Sequence, residues 1–151
     1  MKNILFIFDW QGTLMDDAGR LYDASMATLE LLRGECDMAV ISSHDGKYLR
    51  SYIKKLGIND YFITILGSGD ALDDKPSPEV GALALQQSGK IYAAIWFIGD
   101  SEKDMICAGN MGAKSILIHN DDNDFYYKPD LVASGHNELQ EIIKTILSND
   151  Q

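Results

Sequence analysis

The sequence predicts an α/β fold: three layers, with a central parallel sheet of five strands, room for a short sixth at the edge, and helices on both faces. Three observations predict it. Ile4–Phe8, Met38–Ile41 and Ala94–Ile98 are apolar runs without polar alternation, the pattern of strands buried on both faces. Segments with helical spacing separate them. Each run also ends at or near an oxygen-bearing side chain (Asp9, Ser42, Asp100), and open α/β sheets bind their ligands at the carboxyl ends of strands.

The first run leads directly into Asp9-Trp10-Gln11-Gly12-Thr13. Gly12 permits a sharp turn and close backbone approach, and Thr13 has a hydroxyl with which to orient the carboxylate. Residues 14–22 read as a flap or hairpin turning at Asp17-Ala18-Gly19. Met26, Leu29 and Leu32 give helical spacing from Asp23, the expected N-cap, to about Arg33. The second strand follows over about Met38 to Ile41, with Ser42 at its end. A helix over about Lys47 to Leu56 carries Leu49, Ile53 and Leu56 on one face, and a third strand is expected from Tyr61 to Leu66.

Asp74-Lys75-Pro76-Ser77-Pro78-Glu79 opens the next helix, which runs to about Ser88 and stops at Gly89. Proline suits the first helical turn, so Lys75 just before Pro76 is expected to be held in one direction. The fourth strand delivers Gly99-Asp100, and Asp104 lies four residues on, across the first turn of a helix. Two acids so placed repel unless a positive charge lies near, whereas a helix N-terminus alone accounts comfortably for one of them. Lys114 to Ile118 is the fifth strand, Asp130 to Ala133 the short edge strand, and His136 to Leu147 a final amphipathic helix. Asn120 to Asp124 reads as a solvated acidic loop without EF-hand spacing. Phe125-Tyr126-Tyr127 reads as local packing or a partner surface. His44, His119 and His136 have no ligand spacing and are expected at the surface or in caps.

At 151 residues the chain suits a single domain over residues 1–151, with residues 14–35 holding only a flap and one helix. Its 46% hydrophobic and 24% charged content is that of a soluble globular protein. No apolar run is long enough to cross a bilayer, and the first strand begins almost at Met1, so a cytoplasmic location is expected. Cys36 and Cys107 read as reduced structural thiols. A net charge of −10 disfavours nucleic acid and anionic membranes, and a phosphate handled by such a protein needs local neutralisation, for which a divalent cation is the obvious means.

The ordered set of Asp9, Ser42, Lys75 and the Asp100/Asp104 pair resembles the haloacid dehalogenase (HAD) superfamily, from Ile4 to about Ile118. The spacing around Lys75 and Asp100 is similar to its phosphoglycolate-phosphatase-like branch with the cap deleted. That resemblance implies the spatial strand order fifth, fourth, first, second, third. It also implies roles. Asp9 is the nucleophile, Ser42, Ser43 and Lys75 bind the phosphate, and Mg2+ is held by Asp9, Asp100 and the main-chain carbonyl of Gln11, with support from Asp104. The expected partner is a phosphorylated substrate, a small molecule or a macromolecule that covers the open site, unless a second copy of the chain supplies a lid.

Position 11 departs from the phosphatase pattern. Phosphomonoesterases of the family usually carry an aspartate two residues after the nucleophile, which protonates the leaving group and then activates water. Gln11 exchanges no proton near neutral pH, and losing a general acid/base costs about 10²–10⁴-fold in rate. The first motif is also similar to that of phosphonoacetaldehyde hydrolases, but the segment before Met38 is too short for the cap lysine that those enzymes use. Two other classes compete with a slow phosphohydrolase: a weakened metal- and phosphate-binding or partner-binding module, and a receiver domain. A receiver domain would place an aspartate after strand three, where this chain has Leu66-Gly67-Ser68.

Overall fold

The computed structural model describes residues 1–149. β1 (Ile4–Phe8), β2 (Asp37–Asp45), β3 (Thr64–Ser68), β4 (Ala94–Gly99), β5 (Lys114–Ile118) and β6 (Leu131–Ala133) form one sheet in the order β3-β2-β1-β4-β5-β6. All five pairings are parallel. The expected order of the first five strands is the observed one, and β6 completes the edge. The helices are α1 (Ser25–Leu32), α2 (Gly46–Lys55), α3 (Pro78–Ser88), α4 (Glu102–Asn110) and α5 (His136–Asn149).

The unbroken apolar run of β1 follows from its position. Ile4, Phe6 and Phe8 pack with Leu29 and Leu32 of α1, Leu49 and Ile53 of α2, and Leu139 and Ile143 of α5. Leu5 and Ile7 face the other way, toward Val80 and Ala84 of α3 and Cys107 and Ala108 of α4. Successive side chains of a strand point to opposite faces, so a strand covered twice needs an apolar residue at every position. Both cysteines are buried and unpaired, and none of the described helices is long and apolar enough to cross a membrane.

Several boundaries differ from the sequence expectation. β2 continues past Ile41 to Asp45, with an irregularity in its pairing to β3, so Ser42 lies inside the strand rather than beyond it. β3 begins at Thr64, because Asn59–Tyr61 is a 3₁₀ turn. α1 starts at Ser25 without a side-chain cap, so Asp23 does not have the capping role expected of it. α3 starts at Pro78 rather than at Pro76. Ser77 accepts a hydrogen bond from the Glu79 N–H, and proline at the first position has no N–H to leave unpaired. The Lys75–Pro76 peptide is cis.

Among the described residues no large cap is inserted into the three-layer core. Between β1 and α1 the chain forms a flap tied by bridges of Met15 to Gln11 and Leu21. The Asp16 carboxylate accepts from the N–H groups of Ala18 and Arg20, and the Tyr52 hydroxyl of α2 donates to the Gly19 carbonyl at 2.8 Å, pinning the flap tip.

Candidate active site

Asp9 leaves the carboxyl end of β1 with its N–H bonded to the Ile98 carbonyl of β4, so the two central strands fix its backbone. Its side chain is 6% exposed. Thr13 Oγ1 donates to Asp9 Oδ2 at 3.3 Å, and Lys75 Nζ donates to Asp9 Oδ1 at 2.8 Å. Lys75 comes from the loop ahead of α3, is itself 7% exposed, and reaches Asp104 Oδ1 at 2.7 Å.

Asp104 is fully buried in the first turn of α4. Its Oδ2 accepts from the N–H groups of Asp100 and Ser101 and from the Ser101 hydroxyl, while Ser101 Oγ accepts from the Asp104 N–H, a reciprocal capping box. Both oxygens are thereby engaged, one by the helix cap and one by the ammonium. A Cβ at Gly99 would collide with this carboxylate, and one at Gly12 would collide with that of Asp100. Gly12 also has φ +84°, in the left-handed region that glycine enters freely.

One oxygen each from Asp9, Asp100 and Asp104 lies within 4.8 Å of the others. Burial raises the Asp9 pKa against the pull of Lys75, with Asp100 adding to the rise. Burial also raises Asp100, and nearby Asp104 adds to it. For Lys75 burial acts the other way, but the two carboxylates it touches outweigh it and the pKa is raised, so the group is an ammonium. Three carboxylates thus face one ammonium. The surplus negative charge and the all-oxygen donors suit a hard divalent cation, and of the three acids Asp9 and Asp100 border the open cavity whereas Asp104 is fully buried.

Ser42 is buried at the same sheet edge, and its Oγ accepts from the His44 N–H at 3.1 Å. Its hydroxyl proton remains available to a ligand. Ser43 is exposed and accepts from Lys103 Nζ at 3.1 Å. Gln11 meets His44, Nε2 to Oε1 at 2.7 Å. These side chains border an open cavity of about 390 Å³. A larger hollow, about 550 Å³ beside β3 at Arg50, Lys54 and Phe62, has none of the expected site residues.

Every site residue named from the sequence therefore reaches one place. Four others were not foreseen. His44 and Lys103 border the cavity. His119 Nδ1 donates to the Gly12 carbonyl and His136 Nε2 to the Thr13 carbonyl, each at 2.8 Å. The surface or capping role expected of His136 is wrong: it is 4% exposed, its Nδ1 2.8 Å from Thr28 Oγ1. Burial lowers its pKa, which agrees with a neutral ring donating through one nitrogen and accepting through the other. Only for His44 was a sequence signal available, since period-two spacing from Ser42 holds if β2 is read beyond Ile41.

Comparison with known proteins accords with this geometry. A phosphoglycolate phosphatase of Pectobacterium atrosepticum is 30% identical over 103 residues, 68% of this chain and 44% of that protein. One of Vibrio parahaemolyticus is 29% identical over 129 residues, 82% of this chain and 56% of that protein. The chain thus spans about half the length of these relatives. A HAD-superfamily hydrolase from Ehrlichia chaffeensis superposes with a TM-score of 0.73 at 28% identity, covering 91% of this chain and 63% of that one. A haloacid dehalogenase-like protein from Streptococcus pneumoniae, 18% identical, has the same fold over 95% of this chain and 100% of its own (TM-score 0.80). With residues 6–118 matching the haloacid dehalogenase-like hydrolase family, the chain belongs to that family.

Proposed function

We propose that the protein is a Mg2+-dependent phosphohydrolase in which Asp9 is the nucleophile. The observation that carries this reading is the Asp9 carboxylate held by Thr13 and Lys75 beside Asp100, at the carboxyl edge of the central strand. An Asp9 oxygen attacks phosphorus, the bond from phosphorus to the ester oxygen breaks, and the leaving oxygen departs with the electron pair. Water then cleaves the aspartyl phosphate, releasing inorganic phosphate and restoring Asp9.

Lys75, the Ser42 hydroxyl and the Ser43 N–H supply the positive charge and donors that the phosphoryl oxygens require. Asp104 acts through Lys75, fixing its ammonium toward Asp9. Magnesium, held by Asp9, Asp100 and the Gln11 main-chain carbonyl, would supply charge neutralisation at the phosphate. The Gln11 side chain contributes orientation but no proton. Phosphate esters with good leaving groups are therefore the better substrates, and turnover of alkyl esters is slow. The absence of a cap among the described residues leaves the site open to a small phosphate ester, to a macromolecular one that covers it, or to a lid from a second copy.

The test is Mg2+-dependent hydrolysis of an aryl phosphate by the natural protein, by Asp9→Asn and by Gln11→Asp. Loss of all activity in Asp9→Asn is the expected result; equal rates for it and the natural protein would remove Asp9 as nucleophile. One observation favours a second reading, a regulatory module that binds metal and phosphate without turnover: the amide at position 11 is tied to His44. An inert natural protein that Gln11→Asp activates would favour that reading.

A further inference from the structure

Beside the catalytic cavity lies a second hollow of about 290 Å³, walled by Trp10, Met15, His44, Tyr48 and Tyr52. The two share His44, the residue bonded to the Gln11 side chain. The flap spans both, contributing Asp17 to the catalytic cavity and Gly19 to the second one.

The walls are aromatic by construction. Trp10 meets Tyr52 edge to face with ring centroids 6.4 Å apart, and Tyr48 stacks on Tyr52 at 6.5 Å with planes inclined by 12°. Tyr52 is held by its bond to the Gly19 carbonyl, whereas Tyr48 is 69% exposed at the rim. Trp10 is fully buried, yet its indole Nε1 has no hydrogen-bond partner among the described residues. An unpaired buried donor costs about 1–3 kcal/mol, a cost that a bound acceptor would relieve.

We propose that this hollow receives the leaving group of the substrate, and that the substrate is a small aryl phosphate, a phosphate monoester of a substituted phenol. The inference rests on the hydrolase reading and deepens it. Three observations point the same way. Gln11 borders the catalytic cavity and is bonded to His44, the wall common to both cavities, so a leaving oxygen that departs beside Gln11 faces the second hollow. Gln11 donates no proton to that oxygen, and a phenolate leaves with far less need of one than an alkoxide. The space is also of the right kind: an apolar cavity of about 150 Å³ accommodates benzene, so this one has room for a ring with a substituent. Aromatic side chains on its walls offer stacked and edge-to-face partners worth about 0.5–1.5 kcal/mol each.

The experiment separates ring recognition from leaving-group quality and from catalysis. Phenyl phosphate, acetyl phosphate and glycerol phosphate are compared by kcat/KM with Mg2+, for the natural protein and for Tyr48→Ala, a change at an exposed position. In parallel, phenylphosphonate, which the protein cannot turn over by this chemistry, is titrated into 15N-labelled protein while the indole N–H signal of Trp10 is followed, assigned by its loss in Trp10→Phe. Expected are phenyl phosphate preferred over acetyl phosphate by at least tenfold, that preference reduced about tenfold in Tyr48→Ala, and a saturable shift of the Trp10 signal absent on adding methylphosphonate. A Trp10 signal unmoved by phenylphosphonate overturns the inference whatever the rates, and hydrolysis of acetyl phosphate then leaves the hydrolase reading standing. A shifted signal in a protein inert toward all three phosphate compounds would sustain the ring pocket while removing the hydrolase reading.

Discussion

His44 Nε2 and Gln11 Oε1 are 2.7 Å apart, joining the end of β2 to the loop after β1 at the border of the open cavity. With the amide oxygen facing the imidazole, the ring nitrogen is the donor, since a carbonyl oxygen only accepts. The Gln11 side chain is thereby held as a spacer beside the cavity. An amide has no acidic proton to give at this position.

Gln11→Asp restores a carboxyl that exchanges protons and, one methylene shorter, releases His44. The gain is expected to be larger for an alkyl phosphate, about 10²–10⁴-fold, than for an aryl phosphate, whose leaving group needs the proton less. Steady-state kcat/KM for both esters, with the two proteins compared side by side, checks this. Equal gains for the two would place the defect elsewhere in the site.

Magnesium is expected to stabilise the folded protein, by about 2.7 kcal/mol when its free concentration is a hundred times its Kd. Thermal unfolding with magnesium and with a chelator measures the effect. In Asp100→Asn the magnesium-induced rise in Tm should vanish, because one of the two carboxylates of the acidic cluster that border the cavity is gone. An undiminished rise would put the cation somewhere other than between Asp9 and Asp100.

Lys75→Met removes the ammonium that bridges Asp9 and Asp104, leaving buried carboxylates facing one another. Breaking a buried pair from one side costs about 3–5 kcal/mol. Urea unfolding without metal should give a loss of that size, and Lys75→Arg should not recover it, since a planar guanidinium does not fit a space built around a compact ammonium. A loss under 1 kcal/mol would mean that Lys75 is solvated in the folded protein.

His136 predicts a pH dependence of stability. Its folded pKa is lowered by burial, with the Thr13 carbonyl opposing and His119 adding to the shift. The unfolded chain therefore takes up a proton first as pH falls. The contribution of His136 is fully present above the unfolded value of about 6.5 and is lost as pH falls through the lower folded value. Stability measured by urea unfolding should decline below about pH 6.5 in the natural protein and more shallowly in His136→Gln. Asp9 and Asp100, raised in the folded state, act in the opposite direction and are common to both proteins, so the difference between them isolates His136.

The strands that matter most were legible because burial on two faces leaves a local trace: Ile4–Phe8 and Ala94–Ile98 could not alternate and still fill both layers. The site residues at their ends were legible as an ordered set of acid, hydroxyl, lysine and acid pair. Element ends were less so. Whether β2 stops at Ile41 or runs to Asp45 depends on its pairing with β3, a neighbour remote in the chain. The start of α3 is set locally, by Ser77 accepting from the Glu79 N–H, and the choice between Pro76 and Pro78 turns on that contact.

By itself the sequence determined an α/β sheet with its nucleophile candidate at the end of the first strand, and an amide two residues after that candidate. Both follow from residue type and order. Only the tertiary structure decided that Asp104 serves Lys75 and the α4 cap with both its oxygens, that His119 and His136 hold the carbonyls of Gly12 and Thr13, and that Trp10, Tyr48 and Tyr52 enclose a hollow beside Gln11. Each of these joins residues from separate segments, and such contacts depend on how the layers close on one another rather than on any local pattern.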